Sequence, residues 1–159
     1  MLARFRRGRQ DPVGQPIESE DAGDSPDALY RAVHELVWFV NRHAGRLPND
    51  AVVAARAITD TLAAIVSTSA NRDLDIHAVI SVKAIATDYL PTTLRAYLAL
   101  DTPSETDPDR VTSELRQQVE SLWEAAEDVL AASVAQDVDA LMTQGNFLRT
   151  KFTRSDLDL

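Results

Sequence analysis

The sequence predicts an all-α fold, an antiparallel helical bundle of about four helices, and three observations predict it. Apolar residues recur at three- and four-residue spacing through most of the chain. The hydrophobic share is 45%, and only five of 159 residues are glycine, which suits an α-rich globular chain. Alternating Val/Ile/Thr runs and hairpin turn pairs are missing, so no stretch reads as a strand. The length predicts one helical-bundle domain, residues 25–159, large enough to bury a working core, behind a leader over 1–24.

That leader, "MLARFRRGRQDPVGQPIESEDAGD", mixes Arg, Gly, Pro, Gln and acids without periodicity and reads as disordered, basic first and acidic after. Helix 1 should begin at "SPDALYRAVHELVWFVNRHAG". Ser25 suits the N-cap, Pro26 the first helical position, and Asp27 the positive end of the helix dipole. Leu29, Val33, Leu36, Val37 and Val40 form its apolar stripe, and Gly45 is the expected C-cap. Helix 2 follows in "PNDAVVAARAITDTLAAIVSTSA", with Val52, Ala55, Ile58, Leu62, Ile65 and Val66 on one face. Helix 3 should start near Asp75, with Ile76, Val79, Ile80 and Ile85, and run into "DYLPTTLRAYLAL".

Pro91 sits in the middle of that motif. It has no N–H to donate and its ring crowds the carbonyl four residues back, so a straight helix cannot pass unchanged. Either helix 3 kinks at 87–90, with Thr87 or nearby hydroxyls taking up freed backbone groups, or it stops at Asp88–Leu90 and restarts on Pro91. A bend that wraps helix 3 around helix 4 and a hinge or groove for a ligand are the two readings of such a feature. After a linker, "DTPSETDPD", a fourth helix is expected from Pro108, with Val111, Leu115, Val119, Leu122, Ala126, Val129, Val134, Val138 and Leu141 at roughly heptad spacing. Unbroken to Gln144, it would extend about 55 Å.

Charge and composition exclude several functions. Without cysteine, disulfides, thiolate catalysis and Cys-ligated metal sites are ruled out, and a reducing cytoplasm fits. Net charge is −9, yet residues 1–9 hold four arginines and no acid, leaving twelve basic against twenty-five acidic residues beyond them. Such a body repels a phosphate backbone, so nucleic acid is not an expected partner. No apolar run approaches the ~20 residues of a membrane span, and no apolar segment follows the arginines as a secretory or twin-arginine signal requires. Arg4, Phe5, Arg6, Arg7 and Arg9 could instead touch an anionic membrane surface or another protein, which would make a cytoplasmic chain peripheral at the inner membrane face.

Catalytic constellations are not found. His34 and His43 lack two-turn metal spacing, and no inward Glu-x-x-His pair occurs. Asp73, Asp75 and His77 could gather at a helix start, where Asp75 as an N-cap is the ordinary reading. Glu124, Glu127, Asp128, Asp137 and Asp139 read as a solvated acidic face, with divalent-metal binding as the alternative. No cofactor is expected. "GNFLRTKF" closes the folded part with Phe147, Leu148 and Phe152 either packing back on the bundle or forming a partner-binding tip.

"TDYLPTTLRAYLAL", followed by "QGNFLRTKF" at 144–152, resembles the 5-bromo-4-chloroindolyl phosphate hydrolysis (XpaC-like) family and related actinobacterial helical proteins, over about residues 75–152. The matching positions are Tyr89, Leu90, Pro91, Thr93, Leu94 and Tyr97, then Gly145, Phe147, Leu148 and Phe152. The family usually carries a membrane-spanning hairpin before this region, from which this chain departs. The resemblance implies a helical fold and a setting in envelope or toxic-anion stress, and the family name implies phosphate-ester hydrolysis without a catalytic motif here. The leading expectation is therefore a non-catalytic helical adaptor that binds a protein partner through Tyr89, Leu90, Pro91, Thr93, Leu94, Tyr97, Phe147, Leu148 and Phe152. The alternatives are a phosphate-ester hydrolase using Glu124, Glu127 and Asp128, and a self-associating structural protein with helix 4 as its seam.

Overall fold

A computed structural model describes residues 23–100 and 107–154. The leader through residue 22, with its arginines, and residues 101–106 of the expected linker lie outside the described residues. Five helices form the described part, with no strand among them: α1 (Pro26–His43), α2 (Asn49–Ser67), α3 (76–98), α4 (Pro108–Ala135) and α5 (Val138–Arg154). The expected all-α bundle is what is found, with one helix more than the four expected.

Local chemistry starts the helices where the sequence places them. Ser25 Oγ accepts the Ala28 N–H at 3.2 Å and caps α1, and Asp75 Oδ1 accepts the His77 N–H at 2.8 Å and caps α3. Leu29, Val33, Leu36 and Val40 are buried, as are Val52, Ala55, Ile58, Leu62, Ile65 and Val66 of α2. By length and mean hydropathy (1.4) residues 49–70 also match a membrane span, contrary to the expectation of no such run. Half of that stretch is buried inside the bundle, as befits its central helix. Gly45 is not a left-handed C-cap. Ala44 ends α1 and the chain continues in a 3₁₀ turn over Ala44–Arg46.

Pro91 neither stops α3 nor restarts it. Ile76–Ala84 is α-helical, Ile85–Tyr89 is one π turn, and Leu90–Leu98 is α-helical again, without a gap. The Leu90 N–H bonds to the Ile85 carbonyl, five residues back, which is the wider ring of a π turn. Pro91 then falls in the first turn of the resumed α-helix, where no intrahelical N–H is demanded of it. The Thr87 hydroxyl donates to the Lys83 carbonyl at 2.7 Å, so a hydroxyl does take up a backbone group there.

The long fourth helix is the second correction. It ends at Ala135, because Gln136 adopts the left-handed conformation (φ 58°, ψ 36°). Asp137 N–H bonds to the Ala132 carbonyl at 2.9 Å and Gln136 N–H to the Ser133 carbonyl at 3.3 Å, the two bonds of a Schellman motif. Asp137 Oδ1 then accepts the Ala140 N–H at 3.0 Å and starts α5. The expected stripe holds through Leu115, Val119, Leu122, Ala126 and Val129 and then lapses: Val134 and Val138 are exposed at the turn.

Cross-links between named residues fix the helix directions. Tyr30–Ser67 and Asn41–Arg56 set α1 antiparallel to α2. Asp50–Arg116 and Thr61–Glu127 set α2 parallel to α4, the most extensively packed pair. Asp24–Lys83 and an Arg95 guanidinium 4.9 Å from the Phe39 ring set α1 parallel to α3. Tyr89 stacks on Phe152 at 5.6 Å and Ser81 lies opposite Gly145, so α5 runs alongside α3 in the same direction. All five helices contribute to one contiguous core that includes Leu36, Ile58, Leu62, Leu90, Leu122 and Leu148.

Two outcomes follow from this geometry. A left-handed residue with a Cβ carries roughly 1–2 kcal/mol of strain that glycine lacks, so Gln136→Gly should raise unfolding stability by about 0.5–1 kcal/mol, read as a higher denaturant midpoint at unchanged slope. Arg116, through its hydrogen bond, holds the Asp50 carboxyl below its ordinary range. A depressed folded-state value stabilises above the unfolded carboxylate pKa of about 3.9 and is lost as pH falls through the folded value. Wild type should therefore exceed Asp50→Asn in stability at pH 7, and the gap should close on acidification through pH ~4.

Candidate interaction groove

Parallel packing of α3 and α5 leaves an open groove of about 270 Å³ between them. His77, Ile80, Ser81, Ala84 and Tyr89 line it from α3, and Met142, Gly145, Asn146, Leu148 and Arg149 from α5. Small residues let the two helices approach: a Cβ built on Gly145 would lie 3.7 Å from Ser81 Oγ. Ile76 and Ile80 are each 54% exposed on α3, and Val138 (46%) and Met142 (45%) on α5; Ile80 and Met142 belong to the groove lining itself. A cluster of exposed apolar side chains rimmed by polar ones is the surface pattern of a contact site.

Ser81 sits at the floor. It is 2% exposed, and its Oγ has no hydrogen-bond partner. Leaving a buried hydroxyl unpaired costs about 1–3 kcal/mol, so such a group calls for a cause. Arg149, also in the lining, donates to Asn146 Oδ1 at 3.0 Å. Among the described residues that line the groove none is Asp or Glu, while His77 and Arg149 are present.

A second cavity, about 200 Å³, lies at the α4–α5 turn between Thr68, Arg72, Asp75, Ser133 and Leu141. Arg72 donates there to the Ser133 and Val134 carbonyls, closing the free end of α4. The Ser133 hydroxyl, 7% exposed, is also unpartnered.

The expected surface residues divide. Leu90, Pro91, Thr93, Leu94, Leu148 and Phe152 are buried and help to build the bundle interior, because the resumed helix after the π turn aims its apolar stripe inward. Tyr89 and Tyr97 are half-buried, and Phe147 is 43% exposed beneath Lys151, whose Nζ is 5.3 Å from its ring centroid. Of the nine, Tyr89 and Leu148 line the groove. Ile80, Ser81, Met142 and Arg149 were missed. Their signal was present in "IHAVISVKAIA", which is apolar almost all round and so cannot bury every face in one core.

Several titratable groups elsewhere are engaged in structure. Asp75 caps α3, and His43 Nδ1 lies 2.9 Å from the Phe39 carbonyl, where a protonated Nδ1 donates. Glu127 Oε1 accepts from Thr61 Oγ1 at 2.5 Å and from Trp123 Nε1 at 3.4 Å, and Asp128 accepts from Gln144 at 3.1 Å. Among the described residues no three His, Asp or Glu side chains are grouped to hold a cation.

No protein-family model matches the chain, and no curated protein or solved structure matches it. No residue role at the groove is therefore taken from a relative.

The unpaired Ser81 hydroxyl gives a direct test of this geometry. Ser81→Ala should stabilise the protein by about 1 kcal/mol, because it removes a buried, unsatisfied polar group and improves helix propensity. Ser113→Ala, on the exposed face of α4, reports the propensity gain alone and should give about half as much or less. Equal gains in urea titrations would mean that Ser81 Oγ carries no desolvation penalty.

Proposed function

We propose that the protein is a non-catalytic helical interaction protein that receives a partner on the α3–α5 face. The observation that carries this reading is the exposed apolar side chains of Ile80 and Met142 in a groove between two parallel helices, with Ile76 and Val138 also exposed on the same two helices. Association buries such surface at about 25 cal/mol per Å², and a patch rimmed by His77, Asn146 and Arg149 adds directional contacts. The adaptor role expected of Tyr89–Tyr97 thus moves to the neighbouring face of the same helix. Attachment through Arg4, Phe5, Arg6, Arg7 and Arg9 to an anionic membrane, and a role in envelope or toxic-anion stress, belong to the same proposal.

The phosphate-ester hydrolase reading is less well supported. It needs Glu124, Glu127 and Asp128 to hold a metal, and hydrogen bonds to Thr61, Trp123 and Gln144 already engage two of the three. Self-association through a helix 4 seam is also disfavoured, since Leu115, Val119, Leu122 and Val129 face the protein's own core.

The test is co-purification of the full-length chain from its own cells, beside Ile80→Glu/Met142→Lys and Trp38→Ala. Trp38, 64% exposed on α1, serves as the control for a distant apolar residue. A stoichiometric partner should be held by wild type and Trp38→Ala and reduced at least tenfold by the groove variant. Retention by the groove variant would end the proposal for this face.

A further inference from the structure

We infer that the α3–α5 groove is also a binding site for a small monocarboxylate with a compact apolar body, of the size and chemistry of benzoate. Three observations converge on that class. First, the space is about 270 Å³, just below the ~300–1,000 Å³ that holds drug-sized molecules, so the occupant is small. Second, the described lining joins Ile80, Ala84, Met142 and Leu148 to His77 and Arg149, with no Asp or Glu among the described residues, so an apolar body with negative charge is favoured over a cation or a sugar. Third, Ser81 Oγ is buried at the floor without a partner, and a ligand oxygen supplies the bond the fold leaves unmade.

The geometry assigns the parts. Arg149 donates to Asn146, the residue after Gly145, and a Cβ built on Gly145 would lie 3.7 Å from Ser81 Oγ on α3. A carboxylate at that level accepts from the guanidinium, which has four further N–H donors, and from the serine hydroxyl. The apolar body then lies between Ile80 and Met142, whose sulfur is suited to a ring edge. Occupancy would tie α5 to α3 through the ligand and add its apolar edge to the neighbouring exposed face. The inference does not rest on partner docking, because its test uses the protein alone.

The experiment is a titration of the ¹⁵N-labelled full chain at fixed ionic strength with benzoate, acetate, benzyl alcohol and inorganic phosphate. Benzoate should give saturable shifts at the Ser81, Ala84, Gly145 and Asn146 amides, with a Kd on the order of 1 mM or tighter. Acetate lacks the body and benzyl alcohol the charge, and each should bind at least about tenfold more weakly. Arg149→Gln, at an exposed position, and Ser81→Ala should both keep a folded spectrum and weaken benzoate, by about tenfold for the arginine. The inference is overturned if benzoate shifts grow without saturating, if phosphate matches benzoate, or if either folded variant binds benzoate as wild type does.

Discussion

Gln136, held in the left-handed region, reverses the chain after α4 and lays α5 beside α3. The groove depends on that reversal. Had residues 108–144 stayed one helix, Leu141, Leu148 and Phe152 would have been carried past the end of the bundle instead of into its core. Three backbone and side-chain bonds, from Asp137 and Gln136 to α4 and from Ala140 to Asp137, secure the turn without a glycine. Arg72 adds to it from the α2–α3 connection, by donating to the last carbonyls of α4.

The same reversal gives α3 an unusual task. Its first half packs inward through Ala78, Val82 and Ile85, yet Ile76 and Ile80 point away from that core. A parallel neighbour covers part of the remaining apolar surface, and close approach at Ser81 and Gly145 is what small side chains allow. The π turn at Ile85–Tyr89 then lets the helix continue past Pro91, so that Tyr89 meets Phe152 while Leu90 and Leu94 enter the interior. Proline here sits in the first turn of the resumed α-helix. It does not break the helix.

Much of this was legible in the sequence. Caps at Ser25 and Asp75 and the stripes of α1, α2 and the first part of α4 follow from local chemistry and periodicity, which neighbours in sequence determine. The turn at Gln136 was hidden because left-handed C-caps are usually announced by glycine, and the apolar spacing runs on to Val138 and Leu141 as if nothing intervened. The groove was hidden for a different reason. Leucines and aromatics drew attention to Tyr89–Tyr97, but large apolar residues are the ones a bundle buries first. What stays outside is a set of medium-sized residues, Ile80 and Met142, whose exposure depends on which helix packs alongside.

Both unpartnered buried hydroxyls, Ser81 and Ser133, border cavities that α5 helps to line. Among the described residues α5 buries the hydrophobic side chains of Leu141, Leu148 and Phe152, fewer than α2 or α4 buries. Regions with fewer buried contacts open at lower free energy than the global transition, and binding elements are drawn from them. The α1–α2–α4 part is linked by Asn41–Arg56, Asp50–Arg116 and Thr61–Glu127. A protein optimised only for stability would carry alanine at position 81. A serine there, facing a groove with an arginine at its rim, exchanges folding stability for a polar contact that only a bound molecule completes.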